Sequence, residues 1–334
     1  MLRKTLFDVI YQNVNITAHM SPDILSISYT DNEDGQVDDI SITLKNDDGK
    51  WSGDWTPKKG DFIDLSFKPI NQIVLECGKF QVDGITCSGP PSVVEVTAVS
   101  VPVSSGIRRN LKSNAWEKTT LKDIAASIAK LANIELLFLI DKDSNPYYAR
   151  EDQTEESDLK FLHRLCQDEG LSLKVTDTQL VIFAQEMFEQ REPIATLTLG
   201  VDEIIRYSFS TQSTDLYKSC TCKYRIPKKR KSLSYTWVDP SVEEGSNLKI
   251  RKVVANLDEA KRKAKAALRL KNRYQNTGSL VLVGDTRLVA GVTISLEGFG
   301  SFSGKYLISK AVHSIGASSG YTTSIDVRRV ISGY

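Results

Sequence analysis

A glycine-punctuated alternation between Gly284 and Val330 constrains this chain more than any other stretch. Val292, Ile294 and Leu296 alternate with Thr293, Ser295 and Glu297. After Gly298, Gly300 and Gly304, the positions Tyr306, Ile308 and Val312 carry the apolar side of a second strand. After Gly316 and Gly320, Tyr321, Thr323, Ile325 and Val327 alternate with Thr322, Ser324, Asp326 and Arg328. A period of two with glycines at the breaks predicts half-buried antiparallel strands. The stretch therefore reads as a three-stranded meander with one wet face.

The same unit is legible a second time. Gly60-Asp-Phe-Ile-Asp-Leu matches Gly291-Val-Thr-Ile-Ser-Leu, and Gly78-Lys-Phe-Gln-Val-Asp matches Gly304-Lys-Tyr-Leu-Ile-Ser. Val93 to Val99 parallels Thr323 to Arg329, each closing its meander. The two glycines lie 18 residues apart in the first copy and 13 in the second, and the extra residues fall where a loop would sit. Gly60, Gly78, Gly291, Gly298, Gly300, Gly304 and Gly320 are expected at turns that favour glycine. A repeat this far apart is no solenoid. It implies two similar barrels or sandwiches with something between them.

Upstream of the first match, Leu25, Ile27 and Tyr29, then Ile40, Ile42 and Leu44, alternate with polar residues. Residues 1–112 thus form the first β-barrel. Residues 113–188 switch to α+β. A Thr cap near Thr119 precedes Leu121, Ile124, Ala125, Ile128 and Leu131 at helical spacing. A second helix runs from Ser157 to Gly170, followed by a hairpin from Leu171 to Phe183. Strands return over 189–254 with a basic hairpin tip at Lys228-Lys229-Arg230-Lys231. A helical segment over 255–277, capped at Asp258 and ended by Gly278, leads into 278–334, the completion of the second barrel. The fold class is α+β, mainly β: two similar antiparallel β-barrel domains, an inserted small α+β domain, and a helix before the second barrel.

Little in the chain speaks for chemistry. The three histidines, His19, His163 and His313, fall in different elements. The five cysteines have no metal-ligand spacing, and Cys220 and Cys222, at i and i+2 on a strand, share one face. No nucleophile elbow, zinc-protease motif or phosphate loop is present, and Gly298-Phe-Gly300 opens no helix. No catalytic, cofactor-binding or metal-binding residue is expected, so cofactors are none. Lys and Arg total 43 against 42 Asp and Glu, a net charge of +1 that gives no general support for binding nucleic acid. No signal peptide or membrane span is expected.

The blocks Gly291-Val-Thr-Ile-Ser-Leu-Glu-Gly-Phe-Gly…Gly304-Lys-Tyr-Leu-Ile-Ser-Lys-Ala-Val-His313…Gly320-Tyr-Thr-Thr, the Ser157–Gly170 helix and the Asp258–Tyr274 helix occur in an order that resembles the late control protein D family. These are tail hub proteins of contractile-tailed phages and related particles. The resemblance implies a homotrimer whose six barrels join a sixfold tail tube to a threefold spike around a central channel. Implied partners are the tail tube protein, a spike protein, baseplate wedge proteins and the tape-measure protein in the channel. The implied location is a virion or tail-like particle, assembled in the bacterial cytoplasm. Thr293, Ser295, Glu297, Ser324, Asp326 and Arg328 then become candidates for a ring wall, facing channel or baseplate. Lys228, Lys229, Arg230 and Lys231 become a candidate interface. Pro227–Gly245 has no clear family counterpart. The alternative is a cell-wall or carbohydrate-binding or -degrading tail enzyme, which needs paired carboxylates in a cleft. A nucleic-acid binder using Lys228–Lys231 and the basic helix is a third reading, marked by steep salt dependence.

Overall fold

The computed structural model describes residues 5–100, 106–140, 144–212, 216–225, 232–251, 254, 256–317 and 319–331. The first β-unit comprises β1 (Thr5–Tyr11), β2 (Val14–Asn15), a short α1 (Thr17–Met20), β3 (Ile24–Asn32), β4 (Asp39–Lys45), β5 (Phe62–Pro69), β6 (Leu75–Ser88) and β7 (Val93–Val99). A mixed segment follows: β8 (Lys112–Thr120), α2 (Leu121–Ala132), β9 (Glu135–Leu139), β10 (Tyr147–Glu156), α3 (Asp158–Asp168), β11 (Leu171–Val175), β12 (Gln179–Ala184) and α4 (Gln185–Glu189). The rest comprises β13 (Ala195–Thr198), β14 (Ile204–Thr211), β15 (Tyr217–Arg225), β16 (Ser232–Val238), β17 (Ser246–Arg251), α5 (Leu257–Asn272), β18 (Asn276–Val283), β19 (Thr293–Glu297), β20 (Gly304–Gly316) and β21 (Gly320–Arg329).

The duplication is written into the hydrogen bonds. Gly60 N–H donates to Val82 O at 2.8 Å and Val82 N–H to Asp61 O at 2.9 Å; Gly291 N–H donates to Ile308 O at 2.8 Å and Ile308 N–H to Val292 O at 2.9 Å. Leu65 lies opposite Gly78 and Leu296 opposite Gly304. A bulge falls between Val82 and Gly84 in β6 and between Ile308 and Lys310 in β20. A further matched pair of bulges, at Ile24/Ser26 and Ile204/Arg206, makes β14 the counterpart of β3. Each unit surrounds its own core. Ile27, Ile42, Leu65, Phe80 and Val96 are buried in the first, and Leu280, Ile294, Tyr306, Ile325 and Val327 in the second.

Three sequence expectations need correction. The closing strands align one residue away from the match above: Gln81 faces Val99 as Leu307 faces Arg328, so Val94, Val96 and Ala98 correspond to Thr323, Ile325 and Val327. A slip of one would have put the wrong face inward. Helix α5 is capped by Asn256, whose side chain accepts from the Glu259 N–H, not by Asp258. Gly278 does not end that helix but lies inside β18, where a Cβ would stand 2.3 Å from the Phe209 ring.

The two β-units are one sheet. Strand order runs β14-β18-β21-β20-β3-β4-β7-β6-β5-β1-β2, with β19 on β20 and β13 on β19. The seam is the antiparallel pairing of β20 with β3, from Lys310 opposite Asn32 to Gly316 opposite Ser26. On the flank, α2 and α3 pack over the β11-β12-β9 sheet around Ile124, Ile128, Phe161, Leu165 and Ile182. Thr120 caps α2 in a capping box and Ser157 caps α3, as their spacing predicts. Helix α5 covers the β16-β15-β17 sheet, with Ala260, Ala264 and Leu268 on the shared face of Cys220 and Cys222.

Candidate interface and channel surfaces

Eight strands, β14-β18-β21-β20-β3-β4-β7-β6, form a ribbon with one face on the two cores. The other face follows from strand alternation. Ser28, Ser41 and Thr97 project from it in the first unit, and Ser208, Ser279 and Ser324 in the second; all six are exposed or half-buried. Asp326 and Lys310 face each other there, and nearby the Ser41 hydroxyl donates diagonally to the Glu95 carboxylate at 2.8 Å. The surface is hydroxyl-rich, with charges of both signs.

The candidate wall residues separate into three places. Ser324 and Asp326 lie on this wet face of the ribbon. Ser295 and Glu297 lie on β19, which pairs with β20 and β13 outside the eight-strand ribbon. Thr293 and Arg328 are buried, contrary to their place in the alternation. The Thr293 hydroxyl donates to the Arg191 carbonyl at 3.1 Å. Arg328 is covered by acids from two distant segments, Glu33 at 3.0 Å and Glu189. Lys228, Lys229, Arg230 and Lys231 lie outside the described residues; the flanking β15 and β16 pair as the expected hairpin.

Arg328 anchors a buried node that sequence reasoning missed. Glu189 on α4 also accepts from Arg269 of α5 at 2.7 Å, so one chain of charges ties both β-units to the helical flank. Burial pushes the Glu33 carboxyl upward, and Arg328 opposes that shift. Burial acts against the charge on Arg328, but Glu33 and Glu189 outweigh it and raise its pKa. Beside the node, Lys174 pairs with Asp31 and Asp38; burial and the neighbouring Asp31 push Asp38 up to about 6. Three more basic residues of α5 are likewise engaged: Arg262 with Glu169, Lys263 with Glu259 and Lys265 with Glu186. The helix is therefore a neutralised strut rather than an open basic face. Its alanines do permit the close approach their size suggests, Ala266 lying against Gly170.

At the seam, His313 is fully buried and stacked on Tyr29 and Tyr321. Its Nε2 lies 3.1 Å from the Leu288 carbonyl and so carries the proton, while Nδ1 lies 2.8 Å from the Tyr321 hydroxyl. Burial lowers its pKa to about 4, leaving a neutral ring. His163, half-buried on α3, stands 3.5 Å from Asp34. Among the described residues there is no cluster of His, Cys, Asp and Glu that could hold a metal ion, and no helix long and apolar enough to cross a membrane.

This architecture is that of phage tail proteins. It is similar to the tail protein from Neisseria meningitidis MC58, with a TM-score of 0.74 at 12% identity over 97% of this chain and 96% of that one. It is also similar to the Escherichia coli c3393 protein, a component of the type VI secretion system with structural similarity to T4 bacteriophage tail proteins gp27 and gp5; the TM-score is 0.58 at 13% identity, over 93% of this chain and 75% of that one. The phage tail baseplate hub (GPD) family matches residues 92–319, and the chain belongs to that family. A relative from Escherichia phage 186, described as a probable baseplate hub protein, is 27% identical over 222 residues, 65% of this chain and 56% of that protein. The chain thus spans about half the length of the curated relatives it matches.

Proposed function

We propose that this chain is the structural hub of a tail baseplate, a homotrimeric adaptor joining a sixfold tail tube to a threefold spike around a central channel. The observation that carries the reading is the duplication, bulge for bulge, inside one continuous ribbon. Three copies then present six near-equivalent β-units to a tube, while the flanking helical domains keep the threefold order a spike requires. The wet ribbon face, with Ser324 and Asp326, lines the channel for the tape-measure protein and later DNA. Ser295 and Glu297 on β19 face the surrounding wedge proteins, and Lys228–Lys231 remain a candidate contact with an acidic partner. The role is mechanical, not enzymatic, and the particle is a virion or tail-like particle assembled in the bacterial cytoplasm.

Light scattering of the purified chain and cryo-EM of its parent particle test this. The expected result is a trimer in a threefold layer directly below the tube. A chain located elsewhere in the particle would overturn the reading. The cell-wall enzyme alternative requires two free carboxylates across a cleft, and the buried acids Asp31, Asp38, Glu33 and Glu189 are instead engaged by Lys174, Arg328 and Arg269.

A further inference from the structure

We infer that the outer face of the β16-β15-β17 sheet is a docking surface for an acidic protein segment, held by Lys223, Lys249 and Arg251. The face is complete in a single copy and does not depend on the trimeric reading above.

Charge is divided unevenly along the chain. Residues 217–273, which hold this sheet and α5, carry 17 Lys and Arg against 5 Asp and Glu, a net +12 in a chain whose total is +1. The remaining residues therefore carry −11. An asymmetry of this size points to contact with an anionic partner.

The two sides of the module treat that charge differently. On the helix side, acids answer the cations: Arg262 pairs with Glu169, Lys263 with Glu259, Lys265 with Glu186 and Arg269 with Glu189. The sheet turns Cys220, Cys222, Tyr235, Trp237, Leu248 and Ile250 towards α5. Strand alternation puts Lys223, Lys249 and Arg251 on the other side, among Ser234, Thr236 and Asn247, and all six are exposed. The three strands contain no Asp or Glu. Glu243 and Glu244 lie in the connection from β16 to β17, at the Tyr217 end of the sheet and away from Lys223 and Arg251.

Lys223 and Arg251 are direct neighbours across β15 and β17. Adjacent strands run about 4.8 Å apart, and like charges side by side cost a sheet stability. No acid among the described residues pairs with either of them or with Lys249. In the middle row Thr221 bonds to Thr236 at 2.8 Å and accepts from Asn247 at 2.9 Å, so the polar groups hold one another and the charges are left to a partner. The face offers nucleic acid little. Its outward residues include no aromatic ring on which a base could stack. Its helix lies behind the sheet, where it cannot enter a groove. Lys249 and Arg251 project from one side of β17 about 6.6 Å apart, the spacing at which an extended partner presents its side chains at i and i+2. The partner is accordingly a protein segment with Asp or Glu at alternate positions.

A fluorescein-labelled peptide of alternating Glu and Thr, titrated with the full chain and read by anisotropy, tests this. Binding that weakens with added salt is expected. Lys223→Gln, Lys249→Gln and Arg251→Gln together should weaken it about tenfold, the combined worth of three exposed ion pairs, without lowering the denaturation midpoint. Arg251→Glu separates docking from folding: placed beside Lys223, the new carboxylate should raise the midpoint of the free chain while peptide binding is lost. Absent peptide binding, binding that the triple variant leaves unchanged, or a duplex DNA of equal charge that binds more tightly through the same three residues overturns the inference. So does an Arg251→Glu chain that melts below the parent, because the two cations would then not be in opposition. None of these outcomes bears on whether the chain trimerises, so the hub reading stands or falls separately.

Discussion

The two β-units share registers and bulges yet differ in how each is closed and what each edge meets. In the first, β1 turns back antiparallel along β5, placing Val9 opposite Leu65. In the second, β13 arrives from the helical flank and runs parallel to β19, placing Leu197 opposite Leu296. Strand direction reverses while the buried position is kept. The core thus specifies an apolar side chain at that point and is indifferent to the path that delivers it. The rims differ as well. The loop between β4 and β5 carries Trp51 and Trp55, whereas the shorter loop between β18 and β19 buries Leu288. What stays constant is the four-strand ladder of each unit, β3-β4-β7-β6 in the first and β14-β18-β21-β20 in the second.

The sharpest difference between equivalent positions is Arg328 against Val99. Both are buried, but Arg328 holds Glu33 and Glu189 while Val99 carries no charge and lines a cleft with Val37, Asp83 and Val175. Arg328→Ala takes the ion-pair partner from buried Glu33 and leaves Glu189 with Arg269 alone, and should cost about 3–5 kcal/mol. Val99→Ala removes two methyl carbons and should cost about 1.5 kcal/mol. Denaturant melts of the two variants measure the contrast. Arg328→Met combined with Glu33→Gln, with Glu189 left to Arg269, should recover most of the loss, because both remaining buried charges keep a partner. Equal costs for the two alanine variants would show that the node ties nothing together.

The next contrast is His313 against Cys87, one sealed in the internal seam and the other exposed. Folded His313 titrates near 4 because burial disfavours its charge, while an unfolded histidine titrates near 6.5. Acid therefore favours the unfolded chain. The seam's stability is intact above about pH 7 and falls as the pH drops from 6.5 towards 4, by about 3 kcal/mol in total. Asp38 acts with the opposite sign: raised to about 6, it takes up its proton in the folded state first and offsets part of the loss. The measurement is accordingly a difference. Wild type should lose stability relative to His313→Gln across that window, and parallel pH curves would refute the account.

These contrasts mark where sequence was enough. Alternation and glycines are local signals, so the strands, the α2 and α3 caps and the Gly60/Gly291 and Gly78/Gly304 matches were legible. The bulges at Val82/Gly84 and Ile308/Lys310 leave no local signature, and the third strand was matched one residue off. Arg328 sits in a polar row beside Ser324 and Asp326, and only Glu33 and Glu189, far away in sequence, make it a buried anchor. Gly278 read as a helix stop because the ring that requires it, Phe209, belongs to another strand. The seam itself pairs residues nearly the whole chain apart, which no window of sequence displays. Lysines 228, 229 and 231 and Arg230 were the clearest charge signal, and they fall outside the described residues.

The smallest expected effect is the most direct measure of equivalence. Gly60 has φ +90° and Gly291 φ +83°, and a Cβ added at either would meet nothing within 4 Å. Both donate the same ladder bond to the strand that follows, Gly60 to Val82 and Gly291 to Ile308. An alanine at either position therefore pays no packing penalty, only that of a conformation L-residues disfavour, about 1–2 kcal/mol. If the units are true copies, Gly60→Ala and Gly291→Ala should lower stability by amounts that agree within about 0.5 kcal/mol, and the double variant should show their sum, since the sites are far apart. Equilibrium denaturation of the three variants decides it. A cost at one glycine alone would mean that the matched bonds describe two different turns.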